Sequence, residues 1–443
     1  MSNIRVIPEV AALRASRQVV RIPPELDVPL TERVRQLIDS PPFRRLARIS
    51  QLGLVSLVYP AANHTRHEHS LGVYRMALLY LDRLSDDPRF EAAVSPAQAE
   101  QFLAAALLHD IGHWPFCHPI EDVNLEGLPR HEAFASSFLL QGEIAKVLRE
   151  QWNVEPSEIV ALLAGRSSAP SQRLLRSMLS GPIDVDKMDY LMRDSLHAGV
   201  PYGRNFDQAR LIQSLCLNEA GDKLAITDKG KTAAEMMVFA RYVMFSEVYW
   251  HHAVRSATAM LQRAFYVLRD QVDADALFRL AEEPMIVSMQ QTAGSDPASE
   301  LLAGLFGPTR RLYKRVIECS LFQHAELYEQ MARRPYPWLV GCAERFAEVA
   351  AAELGVKIAA HEVLFDAPPM KLEVEFQIDV YYAKEQRYRK LGDVSPVVQT
   401  LARQQFDDYV KRVRVFAHPR VAERLRDSPN LAALVGEAIG ATN

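Results

Sequence analysis

The feature that most constrains this chain is a ten-residue stretch, residues 109–118, with the sequence HDIGHWPFCH. It holds three of the chain's 13 histidines and follows an apolar run, residues 102–108, whose composition predicts a buried helix. The adjacent His109 and Asp110 offer an imidazole nitrogen and a carboxylate oxygen from one short arc of backbone. That pair of ligand types suits a borderline divalent metal. The stretch therefore predicts half of a metal site at the end of a helix.

The remainder of the stretch predicts a turn. Gly112 and Pro115 end the helix and redirect the chain. We therefore expect His113 and His118 to face the same space as the metal ligands.

Composition limits the classes of protein to consider. The chain has 443 residues, of which 49% are hydrophobic and 24% charged, a balance typical of soluble proteins. A net charge of -4 gives no global reason to expect nucleic acid as a partner. No apolar run approaches the ~18 residues of a membrane helix, and the first thirty residues lack the pattern of a signal peptide. The four cysteines lie far apart, without a CxxC pair, and predict reduced thiols of a cytoplasmic protein: Cys117, Cys216, Cys319 and Cys342.

The hydrophobic periodicity predicts a mostly α fold with a small C-terminal α+β lobe. Three parts are expected: an entry segment over residues 1–30, a helical domain over 31–335 and the lobe over 336–443. Within the helical domain, residues 229–271 predict one long helix. Within the lobe, residues 371–382 alternate apolar and polar side chains, which predicts a half-buried strand.

A second group of histidines opens an apolar helix that runs to Leu84. The segment 63–70 reads NHTRHEHS, with three histidines in six residues. The plain interpretation is a polar helix start on the surface. His69 is nevertheless the best placed to face inward, because Val73 and Ala77 follow it on the same helical face.

A further histidine, His131, begins a predicted helix that extends to about Leu148. A lone histidine at a helix start is as often structural as functional. Its charged neighbours Arg130 and Glu132 argue against an ordinary core position.

The segment 181–194, GPIDVDKMDYLMRD, supplies the remaining acidic candidates. Gly-Pro ends the previous helix, and Asp184 predicts an N-cap for the next one. Asp186, Tyr190 and Asp194 would then share one face of that helix. An amphipathic surface helix with acidic residues near its N-terminus is an equal alternative at this point.

Four candidate ligands from three segments form a mixed set of two imidazoles and two carboxylates: His69, His109, Asp110 and Asp186. Such a set favours Mn²⁺, Fe²⁺, Co²⁺, Ni²⁺ or Zn²⁺ over Mg²⁺ and leaves positions open for water and phosphate oxygens. Histidines outside this set remain for acid–base chemistry, because imidazole titrates near neutral pH.

These blocks together resemble a known family. RHEHSLGV (66–73), HDIGHWPFCH (109–118), His131-Glu132 and IDVDKMDYLMRD (183–194) are similar, in order and spacing, to the HD-domain phosphohydrolases. The branch that they resemble most is the deoxynucleoside triphosphate (dNTP) triphosphohydrolases. The resemblance runs from about residue 18 to 270 and is weaker in the C-terminal lobe.

The resemblance implies roles for fifteen residues. The metal ligands would be His69, His109, Asp110 and Asp186. His131, with Glu132 behind it, would be the general acid toward the leaving 5′ oxygen, and His113 and His118 would lie beside the attacking water and the α-phosphate. Three cations would hold phosphates: Arg66, Lys187 and Arg241. Sugar recognition and the remaining pocket wall would come from Gln51, Tyr190, Asp194 and Tyr249. The resemblance also implies a nucleotide substrate and a homo-oligomer.

One position departs from the family pattern. Phe245 stands where the family has a histidine between the positions of Arg241 and Tyr249. Three functions therefore remain open: a dNTP triphosphohydrolase, a phosphohydrolase acting on nucleoside mono- or diphosphates or another phosphoester, and a nucleotide-sensing regulator with a vestigial site.

Overall fold

The computed structural model describes residues 3–15, 18–166, 169–368, 377–403 and 410–442. Over these residues the chain is mostly helical, with small sheets, which confirms the predicted fold class. None of the helices in the described part combines the length and the apolar composition needed to cross a bilayer.

The helices of the first half run from the N-terminus to the end of the sequence blocks described above. Their bounds are Pro8–Ala15, Glu32–Asp39, Pro41–Leu46, Arg66–Leu84, Pro88–Ala93, Pro96–Leu108, Cys117–Asp122, His131–Phe134, Ser136–Leu139, Gly142–Gln151, Pro156–Leu163, Pro170–Leu179 and Val185–His197, with a 3-10 turn at Gly53–Leu57.

The helices of the second half alternate with short strands along the chain. Their bounds are Gln208–Gln213, Lys231–Met244, His252–Leu268, Ala274–Phe278, Glu282–Ala293, Pro297–Phe306, Ala325–Met331, Tyr336–Leu354, Leu391–Val394, Pro396–Arg403, Pro419–Asp427 and Leu431–Thr442, with 3-10 turns at Tyr202–Arg204, Asp228–Gly230 and Ala360–Glu362.

The described strands form three sheets. A two-stranded sheet pairs β1 with β2, a four-stranded sheet has the order β3-β4-β7-β8, and a three-stranded sheet has the order β5-β9-β6. The pairs are antiparallel except β4 with β7, which is parallel. The strands are β1 (Val19–Ile22), β2 (Leu26–Pro29), β3 (Leu215–Leu217), β4 (Leu224–Thr227), β5 (Lys314–Cys319), β6 (Val363–Asp366), β7 (Asp379–Tyr382), β8 (Arg387–Lys390) and β9 (Val413–Ala417).

The sheets connect the predicted lobe to the helical body. The strand predicted over residues 371–382 includes β7, whereas residues 371–376 lie outside the described part. β7 pairs with β4 of the helical body, and β5, which precedes residue 335, pairs with β9. The division of the chain at residues 30 and 335 therefore stays a prediction.

The single helix predicted over residues 229–271 was wrong. The helix Lys231–Met244 passes into a π-helical turn, Phe245–Tyr249, and a new helix begins at His252. The amide of Trp250 donates to the carbonyl of Phe245 at 2.8 Å, which widens the last turn by one residue. Apolar periodicity continues through the break, so the pattern alone could not reveal it.

The helix predicted from His131 to about Leu148 was also wrong as a single element. It consists of three short helices, of which the last begins at Gly142. Gly142 has a φ of +77°, a left-handed conformation that glycine adopts without a steric penalty.

Helix caps fix the directions of the two helices that matter most for the site. The Thr65 hydroxyl accepts a hydrogen bond from the amide of Glu68 at 3.3 Å, so the helix that ends at Leu84 begins at Arg66. The Asp184 carboxylate accepts the amide of Lys187 at 2.6 Å, which confirms the predicted N-cap. The caps place Arg66 and Lys187 in the first turns of their helices.

These two helices, Arg66–Leu84 and Val185–His197, pack directly on each other in the core. A Cβ atom at Gly72 would lie 1.9 Å from Asp189 Oδ1 and 2.4 Å from Arg193 Nη2. Only glycine permits this approach, because the buried Asp189–Arg193 pair occupies the space that any side chain would need.

We expect Gly72→Ala to destabilise the protein by on the order of 3 kcal/mol, because the added methyl group must break or displace a buried ion pair. The measurement is the free energy of unfolding in urea. Gly440→Ala is the matched control, since Gly440 lies in a helix with open space around its Cβ position. That control should be neutral or stabilising by up to about 1 kcal/mol. Equal effects from both substitutions would contradict the packing argument.

Candidate active site

The fifteen residues predicted for the site line one cavity of about 790 Å³. They come from segments far apart in the sequence, between Gln51 and Tyr249. Their grouping is a geometric observation about the chain, and their individual roles stay predictions.

Four side chains, which we call the primary donor set, converge at the floor of this cavity: His69, His109, Asp110 and Asp186. The Nε2 atoms of His69 and His109 are 3.3 Å apart. Asp186 Oδ1 lies 3.1 Å from His69 Nε2 and 3.9 Å from His109 Nε2. Asp110 Oδ1 lies 3.3 Å from His109 Nε2. His69, His109 and Asp110 therefore each offer a ligand atom within 4.8 Å of the others, and Asp186 adds a carboxylate beside both histidines.

The residues present fit a divalent metal ion. His69 Nδ1 lies 2.9 Å from Asp189 Oδ2, and His109 Nδ1 lies 2.9 Å from the carbonyl of Ala106. An oxygen partner on Nδ1 fixes the tautomer and leaves Nε2 with a free lone pair, the usual arrangement of metal-binding histidines. The preference for an ion from Mn²⁺ to Zn²⁺ stays a prediction.

Asp189 is itself held by a buried cation. The Arg193 guanidinium donates to both Asp189 oxygens at 2.8 Å and to Glu68 at 2.6 Å. Burial raises the pKa of Asp189, but Arg193 and His69 outweigh it and lower that pKa to about 2. Asp189 is therefore ionised at any physiological pH and keeps the His69 ring in place.

Arg66 and His113 contact the Asp110 carboxylate from the side. Arg66 Nη1 donates to Asp110 Oδ2 at 2.8 Å, and His113 Nδ1 lies 3.0 Å from Asp110 Oδ1. Burial and the nearby Arg66 hold the pKa of His113 well below its usual range. The His113 ring is therefore neutral beside the donor set.

The predicted general acid, His131, has a second carboxylate neighbour, Glu121, in addition to Glu132. His131 Nδ1 lies 3.0 and 3.1 Å from the two oxygens of Glu121, and the His131 amide donates to Glu121 Oε1 at 2.7 Å. Glu132 Oε1 lies 3.5 Å from His131 Nε2, on the cavity side. Glu121 thus fixes the ring orientation of His131.

Gly112 brings the His131 segment against the 109–118 turn. A Cβ atom at Gly112 would lie 2.2 Å from the carbonyl oxygen of His131 and 2.5 Å from the amide of Ala135. The ring centroids of His113 and His131 are consequently only 3.9 Å apart.

Asp194 forms a separate buried polar group on the far wall of the cavity. His64 Nε2 lies 2.9 Å from Asp194 Oδ1, and the Tyr249 hydroxyl donates to Asp194 Oδ2 at 2.6 Å. The His64 ring stacks on His197, with centroids 4.4 Å apart, and His197 reaches Glu68 at 2.9 Å. Both carboxylate oxygens of Asp194 are thereby fixed.

The predicted phosphate and sugar contacts complete the lining. Lys187 Nζ donates to Asp184 Oδ2 at 2.7 Å, and although burial lowers the pKa of Lys187, Asp184 raises it overall. The guanidinium carbon of Arg241 lies 5.5 Å from the centroid of the Phe245 ring. The Oε1 atom of Gln51 is buried with no hydrogen-bond partner in the described part of the chain.

Three residues that the sequence interpretation did not select have clear contacts in this site: His64, Glu121 and Asp189. The sequence could have indicated Asp189, because it follows Asp186 by three residues, nearly one helical turn. His64 belongs to the histidine-rich segment 63–70. Glu121 gave no signal, because its contact with His131 depends on tertiary packing.

We expect Asp189→Asn to weaken metal binding about 10–100-fold, because the amide cannot hold the His69 tautomer and orientation as a carboxylate does. The measurement is the dissociation constant of Mn²⁺ by isothermal titration calorimetry. Asp270→Asn is the matched control, since Asp270 is an exposed carboxylate paired with Arg269 at the surface. Unchanged Mn²⁺ affinity in Asp189→Asn would contradict the role given to Asp189.

Comparison with known families supports the grouping of these residues. Residues 66–194 match the HD domain, and residues 206–432 match the HD-associated region. The first match includes the primary donor set and ends at Asp194.

Similar proteins occur in archaea, bacteria and animals. The uncharacterized protein MJ1154 of Methanocaldococcus jannaschii is 30% identical over 390 residues, which cover 87% of this chain and 76% of that protein. The uncharacterized protein YwfO of Bacillus subtilis is 35% identical over 245 residues, 55% of this chain and 53% of its own length. Human deoxynucleoside triphosphate triphosphohydrolase SAMHD1 is 28% identical over 269 residues, 54% of this chain and 42% of the human protein.

Solved structures share the whole fold. A hypothetical protein from Aquifex aeolicus has a TM-score of 0.72 and 28% identity, covering 92% of this chain and 98% of its own. A phosphohydrolase from Bacteroides thetaiotaomicron has a TM-score of 0.68 at 22% identity, covering 91% of this chain and 100% of its own, a likeness of fold alone. By its domain match, its HD-associated region and its relatives, this chain belongs to the HD-domain phosphohydrolase family, in the branch related to the dNTP triphosphohydrolases.

Proposed function

We propose that this protein is a metal-dependent phosphohydrolase that cleaves dNTPs at the α-phosphate, giving a deoxynucleoside and triphosphate. The observation that carries the proposal is one cavity with the primary donor set at its floor and the Asp194–Tyr249 pair on its wall. Its volume of about 790 Å³ lies within the usual range of small-molecule sites.

The metal would be held by His69, His109, Asp110 and Asp186. When bound, such an ion polarises a phosphoryl oxygen and lowers the pKa of water. Arg66 donates to Asp110 and so keeps one of its oxygens away from the donor set, leaving Oδ1 as the ligand atom.

His131 is the proposed general acid. Glu121 accepts from Nδ1, which places the transferable proton of the imidazolium at Nε2, on the side that faces the cavity. Loss of that proton to the 5′ oxygen neutralises the charge that develops on the leaving group. Glu121, which stays ionised, stabilises the protonated ring before transfer.

Three cations supply positive charge for the phosphates: Arg66, Lys187 and Arg241. Arg66 and Lys187 are each fixed by a carboxylate, to Asp110 and Asp184 respectively. Preorganised charge of this kind stabilises a phosphoryl-transfer transition state without rearrangement. The fixed cations also set where a phosphate chain can lie relative to His131.

Asp194, Tyr190 and Gln51 are proposed to recognise the sugar. The fixed carboxylate of Asp194 keeps lone pairs for a substrate hydroxyl, and the unpartnered Oε1 of Gln51 can accept another. Tyr190 lines the cavity between Lys187 and Asp194 on the same helix. Close packing of its ring against the 2′ carbon would exclude a ribose hydroxyl.

Phe245 favours a second candidate, a phosphohydrolase for nucleoside mono- or diphosphates or another phosphoester. Its ring lines the cavity and packs edge-on against Tyr249 with centroids 5.1 Å apart. A phenyl ring offers no hydrogen bond to a phosphate chain. A panel of nucleoside mono-, di- and triphosphates decides between the candidates by the substrate with the highest kcat/KM.

The direct test is the reaction product. Mn²⁺-loaded protein incubated with each dNTP should release deoxynucleoside and tripolyphosphate, and Asp186→Ala should abolish this release by removing a metal ligand. Asp270→Ala is the matched control and should retain full activity, because its carboxylate is exposed and outside the cavity. Release of orthophosphate alone, or equal activity in the two variants, would contradict the proposal.

A second prediction concerns the sugar. We expect His64→Ala to raise KM for the preferred nucleotide about 10-fold or more, because Asp194 loses a buried charge-assisted hydrogen bond. His64→Gln should restore much of the affinity, since its amide can donate in place of Nε2. Steady-state kinetics separate KM from kcat. A similar loss in both variants would mean that His64 acts only through packing.

A further inference from the structure

A second group of metal-binding side chains lies in the same cavity, beside the primary donor set. It consists of His113, Cys117, His118 and His131, with one ligand atom from each within 4.8 Å of the others. We call this group the histidine–thiol set. Three imidazoles and a thiol form a nitrogen–sulfur donor set, the type that selects Zn²⁺ and similar soft or borderline ions.

The local backbone brings these side chains together. Phe116 has a φ of +56° and a ψ of 32°, a left-handed conformation directly after Pro115. The chain therefore turns sharply, and Cys117 and His118 begin a helix that faces His113. The resulting spacing, a histidine followed after three residues by Cys117 and His118, is short enough for all three to reach one ion.

A carboxylate lies near one nitrogen of each ring, and at His131 it forms a hydrogen bond. Glu121 lies 3.0 Å from His131 Nδ1 and 3.7 Å from His118 Nδ1. Asp110 Oδ1 lies 3.0 Å from His113 Nδ1. The His131–Glu121 contact is the same oxygen–histidine arrangement that orients the imidazoles of the primary donor set. Nε2 is thus the available ligand atom of the His131 ring.

The ring packing is compatible with one shared ion. The His118 ring is edge-on to both neighbours, with centroids 5.2 Å from His113 and 5.4 Å from His131. His113 and His131 lie closer, at 3.9 Å with a 37° tilt. The His118 side chain is 62% exposed, so it can adjust to close the site.

We propose that the histidine–thiol set binds a second metal ion of the zinc class, and that this ion inhibits the enzyme by occupying Nε2 of His131. Binding transfers the Cys117 thiol proton to solvent as the sulfur–metal bond forms, and the ligated imidazole can no longer deliver a proton to the leaving group. The metal site rests on the geometry above, whereas the inhibition rests on the proposed function.

The two donor sets differ in the ions they prefer. Mn²⁺ binds thiolate weakly, so it should load only the primary donor set with its two carboxylates. Zn²⁺ or Co²⁺ in excess should load both. The enzyme should therefore be active with Mn²⁺ and lose activity when Zn²⁺ is added beyond one equivalent.

The site is tested by titrating the metal-free full chain with Co²⁺, using elemental analysis for stoichiometry and absorption spectroscopy for thiolate-to-cobalt charge transfer. The wild-type chain should bind two equivalents, the second with a near-ultraviolet charge-transfer band. Cys117→Ser should bind the second equivalent at least about tenfold more weakly and without the band. Cys319→Ser, which alters a buried thiol in β5, is the matched control and should behave as wild type.

The inhibition is tested by adding Zn²⁺ to the Mn²⁺-loaded enzyme and measuring turnover. The wild-type enzyme and Cys319→Ser should lose activity. Inhibition of Cys117→Ser should require a Zn²⁺ concentration about tenfold higher. Equal inhibition in all three chains would mean that Zn²⁺ acts by displacing Mn²⁺, and would overturn the inhibitory role.

The spectroscopic result stands independently of activity. A missing band in the wild-type chain, or a band that persists in Cys117→Ser, would overturn the second metal site. If Cys117→Ser fails to give a native circular dichroism spectrum, Cys117→Ala replaces it with the same expectations. A wild-type chain that shows the Co²⁺ band but hydrolyses no nucleotide would contradict the proposed function and still support the second metal site.

Discussion

The contact between the helices Arg66–Leu84 and Val185–His197 is the constraint on which the rest of the site depends. Gly72 lets the helices approach until Asp189 and Arg193 lie against its backbone. Asp189 then reaches His69, and Asp186, almost one turn earlier, points at the same volume. The His69 and Asp186 side chains, from two distant segments, are therefore positioned by one close helix crossing and one buried ion pair.

Several charged groups in and beside the cavity are paired. Arg66 is paired with Asp110, Lys187 with Asp184, and Arg193 with Asp189 and Glu68. A buried charge without a partner would be costly, and each pair also fixes the direction of a side chain. The same pairs therefore stabilise the fold and orient the cations that are proposed to bind phosphate.

Much of the fold and the site followed from local pattern. Helix periodicity indicated that a helix starts in the segment 63–70, and the predicted N-cap at Asp184 indicated where the other site helix begins, because capping depends on a few neighbouring residues. The break between Phe245 and His252 and the role of Glu121 did not follow. The first is a change of hydrogen-bond register that leaves the apolar pattern intact, and the second is a contact across ten residues of irregular chain.

By itself, the sequence determined the helical fold class and which residue types could bind a metal, since periodicity and donor chemistry are local properties. Its motifs also pointed to the HD family. Only the tertiary structure decided which oxygen holds each imidazole: Asp189 for His69, the Ala106 carbonyl for His109 and Glu121 for His131. Those pairings arise where separate helices cross, because backbone approach and burial, rather than sequence spacing, determine which polar groups can meet.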